Sequence, residues 1–292
     1  MRRFYTIMFF VSIGLTLAAL AAFLIFGLSL GIDFRGGSIM EISFDQDRPL
    51  VENIRKALPE DVEISLAGDR GVIVKMGEIS ESQHQEILKK LSGTFEGVRE
   101  EKFDSIGPVV GKELEDKSVR AIIITLLAII VYIAFVFRKM AIVLSPWAMG
   151  VAAMLALFHD IVIPVGVFAF LGHFYNVEIS AVFMAALLTI LGYSVSDTVV
   201  IFDRIRENVI RNRLKVSFAK LVHDSIMQTL TRSLNTNFTA LLSLVAIYLF
   251  GGESLKYFAL ALIIGIFLGA YSSIFVASPL LVWWSRTLNK HK

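Results

Sequence analysis

Six windows of this chain are almost wholly apolar, and one long stretch between the first two is not. The windows are Ile7–Leu28, Val119–Phe137, Ala141–Phe170, Ile179–Phe202, Leu230–Phe250 and Leu255–Trp283. A helix needs about 20 apolar residues to cross a hydrocarbon core roughly 30 Å thick, so each window predicts a transmembrane helix. The first runs straight into Gly31-Ile32-Asp33-Phe34 with no small-residue cleavage site. That pattern predicts a retained span rather than a removed leader.

The stretch from Asp33 to Lys117 switches to shorter periods. Ser38–Phe44 alternates as a strand does, and Pro49 opens a helix over Leu50–Leu58 at its tolerated first turn. Val62–Leu66 and Gly71–Met76 pair as strands across Ala67-Gly68-Asp69-Arg70. Ser80 with Gln83 three residues later forms a capping box for a helix over Glu81–Leu91, and Val98–Phe103 returns as a strand. The order β-α-β-β-α-β predicts a small ferredoxin-like α/β domain. His84 is alone on its helix and reads as an ordinary surface or core histidine.

Composition agrees with a membrane protein: 55% of the 292 residues are hydrophobic and the mean hydropathy is +0.69. Cysteine is absent, which excludes a disulfide framework, thiolate chemistry and a thiol zinc site. The net charge of +2 conceals an asymmetry. Residues 33–117 hold 19 acidic and 12 basic side chains, while the remainder holds 7 acidic and 16 basic. The basic excess is therefore no nucleic-acid signal, and no nucleic-acid partner is expected.

Those basic residues orient the spans. Arg2 and Arg3 precede the first; Arg138 and Lys139 separate the second and third. Arg204, Arg206, Arg211, Arg213, Lys215 and Lys220 lie between the fourth and fifth, and Arg286, Lys290 and Lys292 follow the sixth. With six alternating spans all of these fall on one side, which the positive-inside rule makes cytoplasmic. Gly172–Glu178 has no Lys or Arg, and Gly251–Ser254 carries only Glu253. Both termini are thus expected in the cytoplasm and residues 31–117 outside it.

Asp197 interrupts the fourth apolar window about two thirds of the way along. A charge at that depth costs several kcal/mol unless paired, hydrated or protonated, so it marks a functional candidate. Arg232, four or five residues inside the fifth window, is its natural counterpart. Six residues of helix, about 9 Å, separate Asp197 from Asp203 at the membrane edge, and Arg232 is about 7 Å deep on an antiparallel helix. Pairing would reduce the cost of both charges, and separation would favour a protonated Asp197. Ser194, Ser196, Thr198, Thr229, Thr231, Ser233, Asn235, Thr236 and Asn237 supply hydroxyl and amide groups near that depth. The alternatives are a permanent structural pair, or an Arg232 that snorkels to headgroups.

His159-Asp160 lies deep in the third window, and Pro164, four residues past Asp160, removes a backbone hydrogen bond there. Asp160 is a candidate member of a polar network. Adjacent residues point in different directions on a helix, so no direct site shared by the two is expected. Two further motifs flank the outer domain: Gly31-Ile32-Asp33-Phe34-Arg35-Gly36-Gly37 where the chain enters it, and Ser105-Ile106-Gly107-Pro108-Val109-Val110-Gly111 where it leaves. Asp33, Gly36, Gly37, Gly107 and Pro108 read either as a hinge or as tight turns. The glycine spacing misses both the dinucleotide and Walker patterns, so no phosphate-binding cofactor is expected. Asp203-Arg204-Ile205-Arg206-Glu207-Asn208 reads as a charged interfacial helix. Ala261, Gly265, Gly269 and Ser273, and likewise Ala148, Ala152 and Ala156, form small-residue stripes for close helix packing, inside the bundle or against a partner.

These motifs, with Phe158-His159-Asp160, Gly192–Val200, Phe202–Asn208 and Gln228–Thr236 in the same order, resemble the SecF family, the smaller membrane component of the bacterial SecD–SecF accessory pair of the Sec translocase. Each motif alone is short; the ordered set spans essentially the whole chain. The resemblance implies a relative of the RND exporters, not an enzyme, that uses the proton-motive force to help preproteins complete export. It implies SecD, the SecYEG translocon, a translocating preprotein and membrane lipids as partners. It implies no cofactor or metal and a location in the bacterial inner membrane. Its functional carboxylate and arginine match Asp197 and Arg232. Before that carboxylate the family usually has Asn where this chain has Ser196, which removes an amide but keeps a donor and an acceptor. An RND-like exporter of lipids or small molecules, and a passive scaffold for the translocon, stand as alternatives.

The expected organisation is a polytopic α-helical membrane protein. A first transmembrane helix occupies 1–30, an extracytoplasmic α/β domain 31–117, and five further helices 118–285, with a cytoplasmic amphipathic segment near 203–225 and a tail at 286–292.

Overall fold

The structure, a computed structural model, describes residues 2–138, 140, 144–212 and 216–290. Lys139, Ala141, Arg213, Lys215 and Lys292, which entered the span and orientation arguments, lie outside the described residues. The chain forms two compact units, one of residues 30–119 and one of residues 1–29 with 120–292.

The smaller unit is built on β1 (Gly37–Phe44), β2 (Glu63–Ala67), β3 (Gly71–Met76) and β4 (Val98–Ile106), joined in an antiparallel sheet of order β2-β3-β1-β4. Alternation puts Met40, Ile42 and Phe44 of β1 and Val72, Val74 and Met76 of β3 on one buried face. Ile54 and Ala57 of α3 (Val51–Ala57) and Leu91 of α4 (Glu81–Thr94) cover that face. Leu50 is extended (ψ 135°), so α3 starts at Val51 and Pro49 precedes the helix instead of sitting in its first turn. The capping box at Ser80 and Gln83 is formed in both directions. His84 is buried against Phe103, ring on ring at 3.7 Å, with Nε2 2.6 Å from a Glu100 oxygen. Its other neighbour, Glu81, is held below the usual carboxylate range by a hydrogen bond from Gln85 and then by His84.

The two glycine motifs meet inside this unit. The short helix α2 (Ile32–Arg35) ends at Gly36, whose φ of 81° and ψ of 163° are open essentially to glycine alone. A Cβ there would lie 2.7 Å from Pro108 Cα, and one at Gly37 2.9 Å from the Met76 carbonyl oxygen. Gly36, Gly37 and Pro108 therefore form a close backbone clasp, with Gly107 at its edge and Asp33 in the first turn of α2.

Among the described residues six helical stretches are long and apolar enough to cross a membrane: Arg3–Phe26, Pro108–Val136, Pro146–Tyr175, Ala181–Arg211, Phe218–Phe250 and Leu255–Ser285. They belong to α1 (Arg2–Phe26), α5 (Pro108–Val136), α6 (Pro146–Tyr175), α7 (Ala181–Asn212), α8 (Phe218–Phe250), and α9 (Glu253–Ser272) with α10 (Ser278–Lys290). Three limits differ from the hydropathy windows. Helix α5 starts at Pro108, so the last residues assigned to the outer domain are already helical. Helix α7 has 32 residues, about 48 Å at 1.5 Å per residue, and runs past the hydrocarbon core as one piece. The charged residues from 203 onward are thus the end of α7, and α8 begins at Phe218, instead of one separate amphipathic element. Charge ends an apolar window without ending a helix.

The sixth span is interrupted by a π-helical turn, Ser273–Ala277. Pro279 has no N–H to offer the preceding turn, and both the backbone N–H and the hydroxyl of Ser278 donate to the Ser273 carbonyl, the latter at 2.7 Å. Helices α6, α7 and α9 with α10 form the buried centre of this unit; α1, α5 and α8 are mostly exposed. Both small-residue stripes pack within the chain. A Cβ at Gly269 would lie 3.0 Å from Ser194 Cβ of α7, and Ala148, Ala152 and Ala156 are buried with Ile133 and Phe137.

Candidate functional site

Asp197 lies near the middle of α7 and only 8% exposed. Both of its carboxylate oxygens accept from α8: Ser233 Oγ donates to Oδ1 at 2.8 Å and Asn237 Nδ2 to Oδ2 at 2.6 Å. Ser233 and Asn237 are four residues apart, so one helix face presents both donors. Arg232 is exposed and makes no hydrogen bond or ion pair with Asp197. Successive helix residues are 100° apart, and the face that brings Ser233 to Asp197 turns Arg232 away from it. The arginine pairing expected from depth alone is therefore not made in this conformation.

One turn before Asp197 on the same helix, Ser194 Oγ donates to Asp160 Oδ2 at 2.5 Å. Ser272 Oγ of α9 donates to the same oxygen at 2.7 Å, and His159 Nδ1 lies 2.8 Å from Asp160 Oδ1. Adjacent residues thus do share a site here, because the His159 imidazole and the Asp160 carboxylate, its C-terminal neighbour on α6, turn toward each other. The Asp160 side chain is fully buried. Thr198 Oγ1 meets Ser273 Oγ at 2.8 Å, tying α7 to the π-helical turn. The His159 ring stacks on Tyr271, whose hydroxyl donates to the Met8 carbonyl of α1 at 2.8 Å. His159 Nε2 is the one buried side-chain nitrogen or oxygen among the described residues with no hydrogen-bond partner.

Two carboxylates on neighbouring helices are thus embedded in hydroxyls, one amide and one imidazole, connecting α6, α7, α8, α9 and, through Tyr271, α1. Such groups can hold a negative charge and can pass or reorient a proton. No cluster of three or more His, Cys, Asp or Glu able to hold a metal occurs among the described residues.

Of the other expected residues, Ser196 is exposed and makes no hydrogen bond to Asp197. Asp203 pairs with Arg206 at 2.6 Å, and Arg204 donates from Nε to Gln228 Oε1 of α8 at 2.6 Å. Asn208 adds bonds to Ser225 and Gln228, so the end of α7 is strapped to the start of α8. Gly36, Gly37, Gly107, Pro108 and Asp33 belong to the smaller unit. Ser194, Ser233 and Asn237 were expected near this depth as hydrogen-bonding groups, but not as the partners of Asp160 and Asp197; Ser273 was expected only in a packing stripe, and Ser272 was not singled out. Their signal was the spacing of Ser233 and Asn237, and a serine pair inside an otherwise apolar sixth span.

Comparison with known proteins agrees with this architecture. The family described as "Protein export membrane protein SecD/SecF, C-terminal" matches residues 86–287, and the "SecD/SecF GG Motif" matches residues 21–47. The protein translocase subunit SecF of Thermobaculum terrenum is 44% identical over 90% of this chain and 86% of its own. That of Anaerolinea thermophila is 37% identical over 94% of this chain and 91% of its own. The crystal structure of SecDF, a translocon-associated membrane protein from Thermus thermophilus, superposes with a TM-score of 0.82 at 34% identity. The match covers 97% of this chain and 38% of that longer one. A match over most of the chain, with the ordered motifs and six spans in place, carries the assignment: this chain belongs to the SecD/SecF family of protein export membrane proteins.

Proposed function

We propose that this multi-pass membrane protein, an accessory subunit of the Sec translocase that aids preprotein export, couples export to the proton-motive force through Asp197. The observation that carries this reading is the double acceptance at Asp197, with both oxygens held by donors on α8. Protonating the carboxyl turns one acceptor into a donor. With the proton on Oδ1, Ser233 must reverse its hydroxyl to accept; with the proton on Oδ2, Asn237 Nδ2 cannot accept and must turn away. Either way one of the two hydrogen bonds between α7 and α8 reverses or breaks, and the other loses the charge that strengthened it.

The magnitudes match. A hydrogen bond to a charged group is worth about 1.5–3 kcal/mol. A proton crossing the membrane supplies about 2.3 kcal/mol per 100 mV. One proton suffices to make or break one such bond. Arg232, one residue from Ser233, is then the group that takes over Asp197 when α8 turns, and Asp160 is its partner carboxylate through Ser194.

The smaller unit, which its β-α-β-β-α-β order and β2-β3-β1-β4 sheet support as ferredoxin-like, acts on the preprotein outside the cytoplasmic membrane. The clasp at Gly36, Gly37, Gly107 and Pro108, with Asp33 in α2, transmits helix movement to it. Both termini face the cytoplasm, as the basic residues at 204, 206 and 220 support. On α8, Arg232, Asn235, Thr236, Thr239 and Ser243 are exposed at span depth, a polar face unsuited to lipid. That face supports a second membrane half, SecD, as the partner that covers it, with SecYEG as the channel served. In proteoliposomes with an imposed proton gradient, Asp197→Asn should lose the gradient-dependent part of export and keep complex assembly. Full stimulation in that variant overturns the proposal.

A further inference from the structure

Where α1 and α8 begin and α10 runs out of the sixth span, Tyr5, Lys220, His223, Ile226, Val282 and Trp283 line a cleft of about 260 Å³. Three properties of the cleft point to one ligand class. It lies at the ends of spans, where amphipathic Tyr and Trp rings sit at headgroup level.

Its polar side is cationic. Lys220 is exposed and makes no ion pair among the described residues, although Asp224 lies one turn on, and no carboxylate lines the cleft. The Tyr5 hydroxyl lies 3.0 Å from His223 Nδ1, and His223 Nε2 has no other hydrogen-bond partner among the described residues. Ser217 gives α8 no side-chain cap, and the first turn of that helix, including Ala219, borders the cleft. Free amides and the helix dipole there favour an anion. The remaining lining is largely apolar: Ile226, one turn past His223 on α8, is 3% exposed, and Val282 and Trp283 come from α10.

We propose that this cleft binds an anionic phospholipid, its phosphate held by Lys220, His223 and the first turn of α8, its glycerol and upper acyl chain against Ile226, Val282 and Trp283. Basic pockets between membrane helices on the side rich in Lys and Arg recognise headgroups by this chemistry. A free phosphate could use the same polar groups but not the apolar wall. The lipid joins α1, α8 and α10 at the foot of the helix that carries Ser233 and Asn237. The inference does not depend on the proton-coupling reading.

The test is native mass spectrometry of the full chain in mild detergent, titrated with dioleoylphosphatidylglycerol, dioleoylphosphatidylcholine or sn-glycerol phosphate. Dioleoylphosphatidylglycerol should be retained over the zwitterionic lipid, and glycerol phosphate should not compete. Lys220→Gln should lower occupancy about fivefold and Lys220→Glu about thirtyfold, one and two charges at the membrane surface. Because Lys220 is exposed, neither change disturbs the bundle. Phosphatidylglycerol with brominated acyl chains should quench Trp283 in the chain carrying Trp147→Phe and Trp284→Phe. Equal retention of both lipids, an unchanged Lys220→Glu titration, competition by glycerol phosphate, or an unquenched Trp283 each overturns the proposal.

Discussion

Replacing Asn237 with leucine removes one of the two donors that hold Asp197 and keeps the volume. Asn237 is 4% exposed and its amide lies 2.6 Å from Asp197 Oδ2, so water does not readily replace it. The loss should be about 1.5–3 kcal/mol, the worth of a hydrogen bond to a charged group. Asp197→Leu leaves Ser233 and Asn237 facing an apolar side chain and should cost about 1–3 kcal/mol for each donor it strands. The double variant replaces both members of the pair, which is far cheaper than stranding either one. A double-mutant cycle should therefore return a coupling of about 1.5–3 kcal/mol. Equilibrium unfolding of the full chain in detergent, followed by tryptophan fluorescence, measures all four corners. Effects additive within about 0.5 kcal/mol would refute a direct Asp197–Asn237 interaction.

Two further outcomes follow from the geometry. Gly36→Ala forces a side chain into a glycine-only conformation against Pro108 and should destabilise the smaller unit by about 1–3 kcal/mol, read as faster hydrogen exchange of the β1 amides. Arg232→Met should lower gradient-driven export while leaving unfolding midpoints unchanged, because the side chain is exposed here; Arg232→Lys should be milder, keeping the charge without the guanidinium fork.

Periodicity carried most of the fold. Residues 38–44 and 71–76 read as strands although Ile39 and Ile73 interrupt the apolar–polar alternation, and burial at Met40, Ile42, Val72 and Val74 shows which face is inward. Ser80 and Gln83 announced the start of α4 because a capping box is a local interaction. The limits of α5 and α7 were harder, since hydropathy reports where lipid ends and not where a helix ends. At the site, Asp197 and Asp160 stood out because charge in an apolar window is rare. Their partners did not. Depth placed Arg232 beside Asp197, but rotation about the α8 axis decides which neighbour faces it, and only contacts between helices set that rotation. Serines such as Ser194 and Ser272 are common within membrane helices, so their approach to Asp160 had no local signature. The π-helical turn at Ser273–Ala277 was foreshadowed only by Ser278-Pro279.

Infrared difference spectroscopy of the carboxyl stretch, recorded across pH on the chain reconstituted with its membrane partner, reads the charge state of Asp197 directly. The account predicts a carboxyl band that grows as pH falls, disappears in Asp197→Asn, and moves in frequency in Asn237→Leu, where one hydrogen bond is gone. A spectrum in which no band assignable to Asp197 changes over the pH range that supports export would contradict it, and would leave Asp197, Ser233 and Asn237 as a fixed structural contact.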